Sequence, residues 1–253
     1  MKHHVGGRIP STHARGALPH VERYLRSGLL LDAAPPARDY AGEAAFGTYG
    51  NNVAGDCTIA ALYHRRELLA KLQREPFSAA PAQPLADYSA ITGFDGTPGD
   101  ASDHGAQMID VLVHAKSVGI AGQKVAGYAR IDPRDRGLME QALNAFVAVY
   151  VGANLPKAID DQGFDWDMPP IEHRTEHDEP DTDRGHAFLL VGYDRLSWRV
   201  LTWGSSRYRA SNAWLDECCD EAWIVIDDAL VTGARPAPNG LDIDRLRADL
   251  EAA

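Results

Sequence analysis

Cys57 and His186 are the two residues whose types and positions could carry out covalent chemistry. Cys57 follows the glycine-rich stretch Gly50-Asn-Asn-Val-Ala-Gly-Asp56 and begins an apolar segment with helical spacing. The backbone N–H groups at a helix start are unpaired and lie at the positive end of the helix dipole, so they favour a thiolate and can bind an oxyanion. His186 heads the apolar run Gly185-His-Ala-Phe-Leu-Leu-Val-Gly-Tyr193, which predicts a strand. A cysteine with a distant histidine is the pattern of a thiol nucleophile and its base.

Helices are predicted in the first half of the chain. The segment Cys57–Glu75 carries apolar residues at helical spacing on two faces, which predicts a central, buried helix. We expect Asp56 to cap this helix and Pro76 to stop it. Two further helices are predicted around Met108–Ala115 and Gly137–Ala145.

Strands are predicted in the second half. Their apolar, β-branched and aromatic content marks Phe146–Val151, Ala187–Tyr193, Trp198–Trp203 and Ala222–Asp227. Helices followed by strands predict an α+β fold with a helical half, a sheet half and a cleft between them. Cys57 would come from the first half and His186 from the second.

Composition narrows the class of protein. With 253 residues the chain can form one folding unit with a full core. The formal net charge of −11 argues against nucleic acid as a partner, because phosphate binding needs clustered Lys and Arg. No apolar stretch could span a bilayer and the N-terminus lacks the apolar segment of a secretory signal, so we expect a cytoplasmic protein without a membrane partner. Three cysteines imply no disulfide framework, and acidic neighbours indicate a structural role for Cys218 and Cys219.

Three regions are expected along the chain. Residues 1–40 form an N-terminal arm that packs across the body, with a short helix over Pro19–Ser27. Residues 41–230 form the main domain, whose helical half covers about residues 41–145 and whose sheet half covers about residues 146–230. Residues 231–253 form a linker and a short amphipathic helix.

The order of these motifs resembles the papain-like cysteine peptidase fold over roughly residues 38 to 228. The matching stretches are Gly55–Cys57, Tyr88–Gly93, Asp103–Ile120, Ala145–Gly152, Gly185–Tyr193, Trp203–Gly204 and Asp220–Ala222. Several of them also resemble the motifs of a bacterial papain-like group. The resemblance implies that the main domain is a catalytic domain, with a helical half, an antiparallel β-sheet or barrel half and an active-site cleft between the two.

The resemblance also implies roles for individual residues. Cys57 would attack an acyl carbonyl and His186 would shuttle the proton. The glutamine that binds the oxyanion in this family is replaced by Asn51, whose amide reaches one methylene less. Asn52 is an alternative donor. Asn51 could instead be an ordinary turn residue, since asparagine tolerates unusual loop dihedrals.

The residue that orients the histidine departs from the family pattern. The family's asparagine, two residues before Trp-Gly, is Leu201 here, and the hairpin from His186 to Trp203 is one residue shorter than usual. A register slip of one residue would bring Thr202 to the orienting position, where its hydroxyl can accept from an imidazole N–H. Trp203 would cover the histidine edge or simply fill the core. Gly105 would let a substrate backbone approach closely, or be an ordinary loop glycine.

The predicted function is that of a cysteine hydrolase. Such a peptidase or amidase would cleave an amide bond of a peptide or peptide-like substrate through a Cys-His dyad and a thioester acyl-enzyme, with no metal or nucleotide cofactor. Two alternatives stay open. One is an acyltransferase that passes the thioester to an amine. The other is a non-catalytic binding protein, in which Leu201 marks a lost orienting residue and Cys57 is a small core side chain.

An acidic stretch between residues 160 and 183 carries two further alternatives. It could border the cleft and favour a basic substrate, or it could be a solvated surface loop. Its imidazoles and carboxylates also allow a metal site, which would remove the histidine from thiol chemistry. The side chains of that site would be Glu172, His173, His177, Asp178 and His186.

Overall fold

A computed structural model describes residues 6–12 and 34–232, together with Asp244, Arg247 and Ala248. The predicted helix over Pro19–Ser27 lies outside these residues, and so do the apolar side chains that mark the predicted C-terminal helix. None of the helices in this part of the chain is long and apolar enough to cross a membrane.

The helices are concentrated in the first half of the chain, as predicted. In the described residues they are α1 Cys57–Gln73, α2 Gln83–Thr92, α3 Met108–Ser117, α4 Arg136–Phe146, α5 Ile159–Gln162, α6 Asn212–Cys218 and α7 Asp228–Val231, with 3-10 turns at Ile171–His173 and Thr182–Arg184. Most residues of α1 are buried, which agrees with its two apolar faces.

Both ends of α1 differ from the sequence predictions. Asp56 occupies the capping position, but its side chain accepts no hydrogen bond from the helix backbone. Instead the carboxyl is fully buried. At the other end Arg74 adopts the left-handed conformation, with φ of 58°, and ends the helix before the chain reaches Pro76.

The strands are β1 Arg8–Ile9, β2 Arg38–Asp39, β3 Ala106–Gln107, β4 Val125–Ile131, β5 Val149–Asn154, β6 Asp165–Trp166, β7 Gly185–Tyr193, β8 Ser197–Thr202, β9 Ser205–Ser211 and β10 Cys219–Asp227. Eight of these, within the described residues, form one sheet in the order β4-β10-β5-β7-β8-β9-β6, with β2 also paired to β7. Neighbours are antiparallel except β6 and β9. Strands β1 and β3 form a separate parallel pair.

Four strands of the sheet are absent from the sequence prediction: the two-residue strands β2 and β6, and the longer strands β4 and β9. Strand β4 precedes the predicted division near residue 145, yet it pairs with β10 along its length. Its alternating residues are buried and half-buried, and Gly127 and Arg130 weaken its apolar pattern. Strand β9 is mostly polar, and its alternation depends on few apolar residues, including Tyr208 and Ala210.

The sheet carries an apolar core on each face. Helices α1 and α3 pack on one face, and α4 packs on the other with a group of tryptophans. Every residue of the central strand β7 is buried. Because successive strand residues point to opposite faces, His186 lies on the face of Phe188 and Ala187 on the face of Leu189.

Candidate active site

Cys57 is the first residue of α1 and lies against the beginning of β7. Its side chain is buried, and its Sγ accepts a hydrogen bond from the backbone N–H of Ala187, with 3.3 Å between N and Sγ. This contact joins positions 130 residues apart. It brings the thiol next to the residue that follows His186.

The environment of Cys57 favours the neutral thiol. Burial raises the pKa of Cys57 to about 12, against the opposing effects of the Ala187 N–H and of Arg8. The sequence predicts a thiolate at this helix start, whereas burial acts in the opposite direction and has the larger effect on the pKa. The cost of burying a charge outweighs the favourable helix terminus.

His186 is held on two sides. Its Nε2 lies 2.7 Å from Oγ1 of Thr202, and both side chains are buried. The indole ring of Trp203 stacks on the imidazole, with ring centroids 4.5 Å apart and planes at 25°. These contacts fix both the position and the tilt of the ring.

The register of the sheet selects Thr202 over Leu201 as the partner of the histidine. Leu201 pairs with Leu189 across β8 and β7, so its side chain enters the core with α1. The next residue, Thr202, points to the opposite face, where His186 and Phe188 lie. A two-residue turn then follows, with positive φ at both Trp203 and Gly204, and it places the indole over the imidazole.

Asn51 and Asn52 have opposite environments. Asn51 is 1% exposed, and its Nδ2 donates to no acceptor in the described part of the chain. Asn52 is exposed to solvent. An amide donor that is buried without an acceptor costs free energy, unless a bound ligand accepts its hydrogen bond. The structure therefore separates the two candidate oxyanion donors.

Asp56, directly before the thiol, is a second buried group in this loop. Burial raises its pKa well above the usual range, and the charge of Asp103 adds to this effect. The nearby Asn51 amide acts in the opposite direction and lowers the pKa, with a smaller effect than burial. Burial therefore favours the protonated form of the Asp56 carboxyl.

Asp103 and Tyr88 are not among the predicted site residues, yet they hold together the loops beside Cys57. Asp103 Oδ1 accepts from the backbone N–H of Gly55 at 2.8 Å and from the Tyr88 hydroxyl at 3.1 Å. The Tyr88 oxygen in turn accepts from the N–H of Gly105 at 2.8 Å. Tyr88 begins the Tyr-Ser-Ala-Ile-Thr-Gly motif, so that motif was the available signal.

The segment Gly6–Arg8 lies beside these residues. The N–H of Gly6 donates to the carbonyl of Gly185 at 3.1 Å, and the carbonyl of Gly7 accepts from the N–H of Ala106 at 3.1 Å. Gly105 has a φ of +81°, and a Cβ there would lie 2.7 Å from the Gly7 oxygen. A peptide backbone therefore does approach Gly105 closely, and it is the chain's own.

The remaining sequence candidates lie apart from the thiol. No three His, Cys, Asp or Glu side chains among the described residues lie close enough to hold a metal ion together. In the acidic stretch, His177 contacts Asp161 and Arg184 contacts Asp160 at the surface. Cys218 and Cys219 are free and buried, and burial raises both pKa values.

Comparisons with known proteins agree with this geometry at the level of the fold. No protein-family profile matches the sequence, and no functionally curated protein is a detectable relative. Solved structures do match. Xylellain, a cysteine protease from Xylella fastidiosa, has a TM-score of 0.62 at 16% identity, over 88% of this chain and 96% of that one.

Two further solved structures give the same result. A digestive procathepsin L2 proteinase from the larval midgut of Tenebrio molitor has a TM-score of 0.59 at 13% identity, over 88% of this chain and 78% of that one. Procathepsin B S9 from Trypanosoma congolense has a TM-score of 0.56 at 12% identity, over 88% of this chain and 86% of that one. The chain has a papain-like α+β fold, as the sequence motifs predict.

Proposed function

We propose that this protein is a papain-like cysteine hydrolase that cleaves an amide bond of a peptide or peptide-like substrate. The observation that carries the proposal is the meeting of α1 with β7. It sets the Cys57 sulfur against the Ala187 N–H, while the neighbouring His186 is fixed by the Thr202 hydroxyl. A thiol, a held imidazole and a helix start at one end of a cleft are the parts that acyl transfer requires.

The reaction follows from these positions. Because Nε2 of His186 contacts Thr202, the ring's other nitrogen, Nδ1, would take the Cys57 proton as the sulfur attacks the carbonyl carbon. The oxyanion that forms would accept from the Asn51 amide and from the N–H of Cys57 at the helix start. The C–N bond then breaks, His186 protonates the amine, and water hydrolyses the thioester with His186 as base.

One observation favours a second candidate, a non-catalytic binding protein. The Cys57 thiol is fully covered and its pKa is raised, which is the state of an inert core cysteine. Under the hydrolase proposal this state belongs to a cleft that is filled by residues 6–8 and that must open before substrate enters. An acyltransferase would use the same residues and differ only in the acceptor of the thioester.

The test is cleavage of a diverse peptide mixture, with new peptide ends read by mass spectrometry. We expect new ends with the wild type and none with Cys57→Ser or His186→Ala. Iodoacetamide labelling during turnover should modify Cys57 faster than Cys218 and Cys219, which serve as buried reference thiols. Cleavage that survives Cys57→Ser would overturn the proposal. No cleavage, with all three thiols equally slow, would favour the binding protein.

A further inference from the structure

Arg8 is a buried arginine that no step of the proposed reaction uses. Only 3% of the residue is exposed. Its Nη2 lies 2.6 Å from Oδ1 of Asp220 and 2.9 Å from Oε2 of Glu221, and its Nη1 lies 3.4 Å from Oδ1 of Asn154. One guanidinium thus faces two carboxylates and an amide oxygen at the side of the cleft.

The recess that holds this guanidinium is built by side chains that are themselves fixed. Glu221 is 3% exposed, and its Oε1 accepts from Trp223 Nε1 at 2.8 Å and from Ser11 Oγ at 2.5 Å. Asn154 donates through Nδ2 to Oδ2 of Asp220 at 3.1 Å. A Cβ on Gly152 would overlap Arg8 Nε, so the floor of the recess has room for a flat guanidinium only because position 152 is glycine.

The backbone on either side of Arg8 lies in a narrow passage beside Gly55 and Gly185. A Cβ on Gly7 would overlap the carbonyl oxygen of Gly55, close to Cys57. A Cβ on Gly185 would overlap the carbonyl oxygen of Arg8, next to His186. The chain in this passage therefore passes the residues that precede Cys57 and His186 in the sequence, and the residue before the arginine must be glycine.

We propose that the recess formed by Asp220, Glu221 and Asn154 is a recognition site for the guanidinium group of a peptide ligand, and that Arg8 is the chain's own occupant of it. Departure of residues 6–12 would leave two carboxylates, one of them buried, without a cation. A buried charge without a partner is strongly destabilising. The vacated recess should therefore favour a ligand whose cationic group pairs with Asp220 and Glu221. A ligand with glycine before arginine fits the passage, and its guanidinium replaces that of Arg8.

Arginine fits this recess better than lysine. The guanidinium presents donors from two terminal nitrogens to three acceptors that belong to different residues. An ammonium is a single strongly hydrated point charge whose donors all leave one nitrogen, so it matches three separated acceptors less well than a planar guanidinium. Occupation by Arg8 also accounts for the covered thiol, since the same segment passes Gly55 and Gly185.

The test measures binding without catalysis, in full-length protein that carries Cys57→Ser. The probe is acetyl-Gly-Gly-Arg-Ile-amide, and the matched peptide has norleucine in place of arginine. In the Cys57→Ser, Arg8→Ala protein we expect calorimetry to show the arginine peptide binding at least about tenfold tighter than the norleucine peptide. In Cys57→Ser alone, Arg8 competes, and binding should be at least about tenfold weaker.

Three further variants make the result specific. Adding Glu221→Gln to the Arg8→Ala protein should remove most of the preference for arginine. Arg207→Ala, which removes an exposed arginine, should leave the weak binding of Cys57→Ser unchanged. Gly7→Ala, in the Cys57→Ser background, should loosen the segment through overlap with Gly55 while leaving Arg8 in place. It should raise peptide affinity even if Arg8→Ala does not fold.

The proposed guanidinium site rests on the proposed hydrolase function, because it concerns the substrate. The experiment nevertheless distinguishes failure of the site from failure of the hydrolase proposal. Equal binding of the arginine and norleucine peptides by the Arg8→Ala and Gly7→Ala proteins would contradict the proposed guanidinium site. This holds whether or not other peptides are cleaved. Selective binding of the arginine peptide, together with no cleavage by protein that retains Cys57, would support the recess and contradict the hydrolase.

Discussion

The His186 ring is oriented by a hydroxyl, where related folds are expected to use an amide. Thr202 contributes a single oxygen at 2.7 Å from Nε2, and Trp203 covers the ring from one side. A hydroxyl can donate or accept, so it can follow the imidazole through both protonation states. The tilt of the ring would then be set mainly by the indole and the position of Nε2 by the hydroxyl.

Replacing this hydroxyl should weaken catalysis with little change in shape. Thr202→Val keeps the β-branched shape but leaves Nε2 buried without an acceptor, a cost of about 1–3 kcal/mol. We expect kcat for peptide cleavage to fall roughly 10- to 100-fold. Thr202→Ser retains the oxygen and should stay within a few fold of wild type. Equal rates for the Val and Ser variants would show that the hydroxyl does not orient the ring.

Asn51 and Asn52 are the two candidate oxyanion donors, and only Asn51 is buried. Asn51→Ala should lower kcat roughly 100-fold with little change in KM, because its amide would act only in the transition state. Asn52→Ala, a change of the same chemistry at an exposed position, should leave both constants unchanged. The reverse outcome would move the oxyanion donor to Asn52. The free energy of unfolding is the control, since Asn51 Nδ2 makes no hydrogen bond in the described residues.

Sequence alone predicts the candidate site residues that local patterns mark. Cys57 stands at a helix start and His186 at a strand start, and both features are visible in neighbouring residues. Thr202 required a resemblance and an argument about register. Arg8 could not be predicted, because its partner Glu221 lies 213 residues away and nothing near either residue indicates the contact.

Helix α1 carries Cys57, the proposed nucleophile, and a polar contact of His64 joins the helix to the loop before it. His64 lies in its second turn, fully buried, with Nε2 2.8 Å from the carbonyl oxygen of Gly47. Since that oxygen only accepts, Nε2 carries the proton. Burial lowers the pKa of His64 to about 4. The helix is therefore anchored to the loop before it by a neutral imidazole.

This anchor makes stability depend on pH. The unfolded chain protonates His64 near its ordinary pKa of about 6.5, whereas the folded chain does so only near pH 4. Stability is complete above the unfolded pKa and falls as the pH drops towards 4, because the unfolded state takes up the proton first. Between about pH 7 and 4.5 we expect a loss of about 2 kcal/mol from this residue.

Urea unfolding of wild type and His64→Gln at the two pH values measures this contribution. The Gln amide can donate to Gly47 but does not titrate, so the variant should lose about 2 kcal/mol less than wild type. His177→Gln, at an exposed histidine, should follow the wild type. A parallel loss in wild type and His64→Gln would show that other groups cause the acid sensitivity.

Secondary structure was predictable where an element is apolar along one face and unpredictable where pairing alone creates it. Helix α1 and strand β7 follow from their own residues. Strand β9 carries Ser205, Arg207 and Arg209 and becomes a strand because β8 pairs with it along one edge. Propensity is a weak guide for such a strand, since its neighbours supply the stabilisation.

At the scale of the whole molecule, the helical half and the sheet meet through α1 and β10 as well as at the cleft. Arg65 of α1 donates through Nη1 to both carboxylate oxygens of Asp227, at 2.6 and 2.7 Å, and through Nη2 to the carbonyl of Val225 at 2.7 Å. Both side chains are almost fully buried. The α+β division was predictable from the order of elements, but this link across it was not.

The buried Arg65–Asp227 ion pair should contribute strongly to the free energy of unfolding. Asp227→Ala leaves the Arg65 guanidinium buried without its counter-ion and should lower the free energy of unfolding by about 3–5 kcal/mol. Glu217→Ala breaks the exposed pair with Arg174 and should cost less than about 1 kcal/mol. Denaturant unfolding followed by tryptophan fluorescence and by far-UV circular dichroism measures both.

The double variant Arg65→Met, Asp227→Leu tests whether the ion pair positions α1 on the sheet or contributes only stability. Apolar side chains of similar size remove both buried charges at once, so most of the stability lost in Asp227→Ala should return. If the pair mainly fixes α1 on the sheet, the double variant will be stable and yet cleave peptides more slowly, because the Cys57 end of the helix is no longer held against β7. If stability and cleavage both return to wild-type values, apolar packing alone suffices to position the nucleophile.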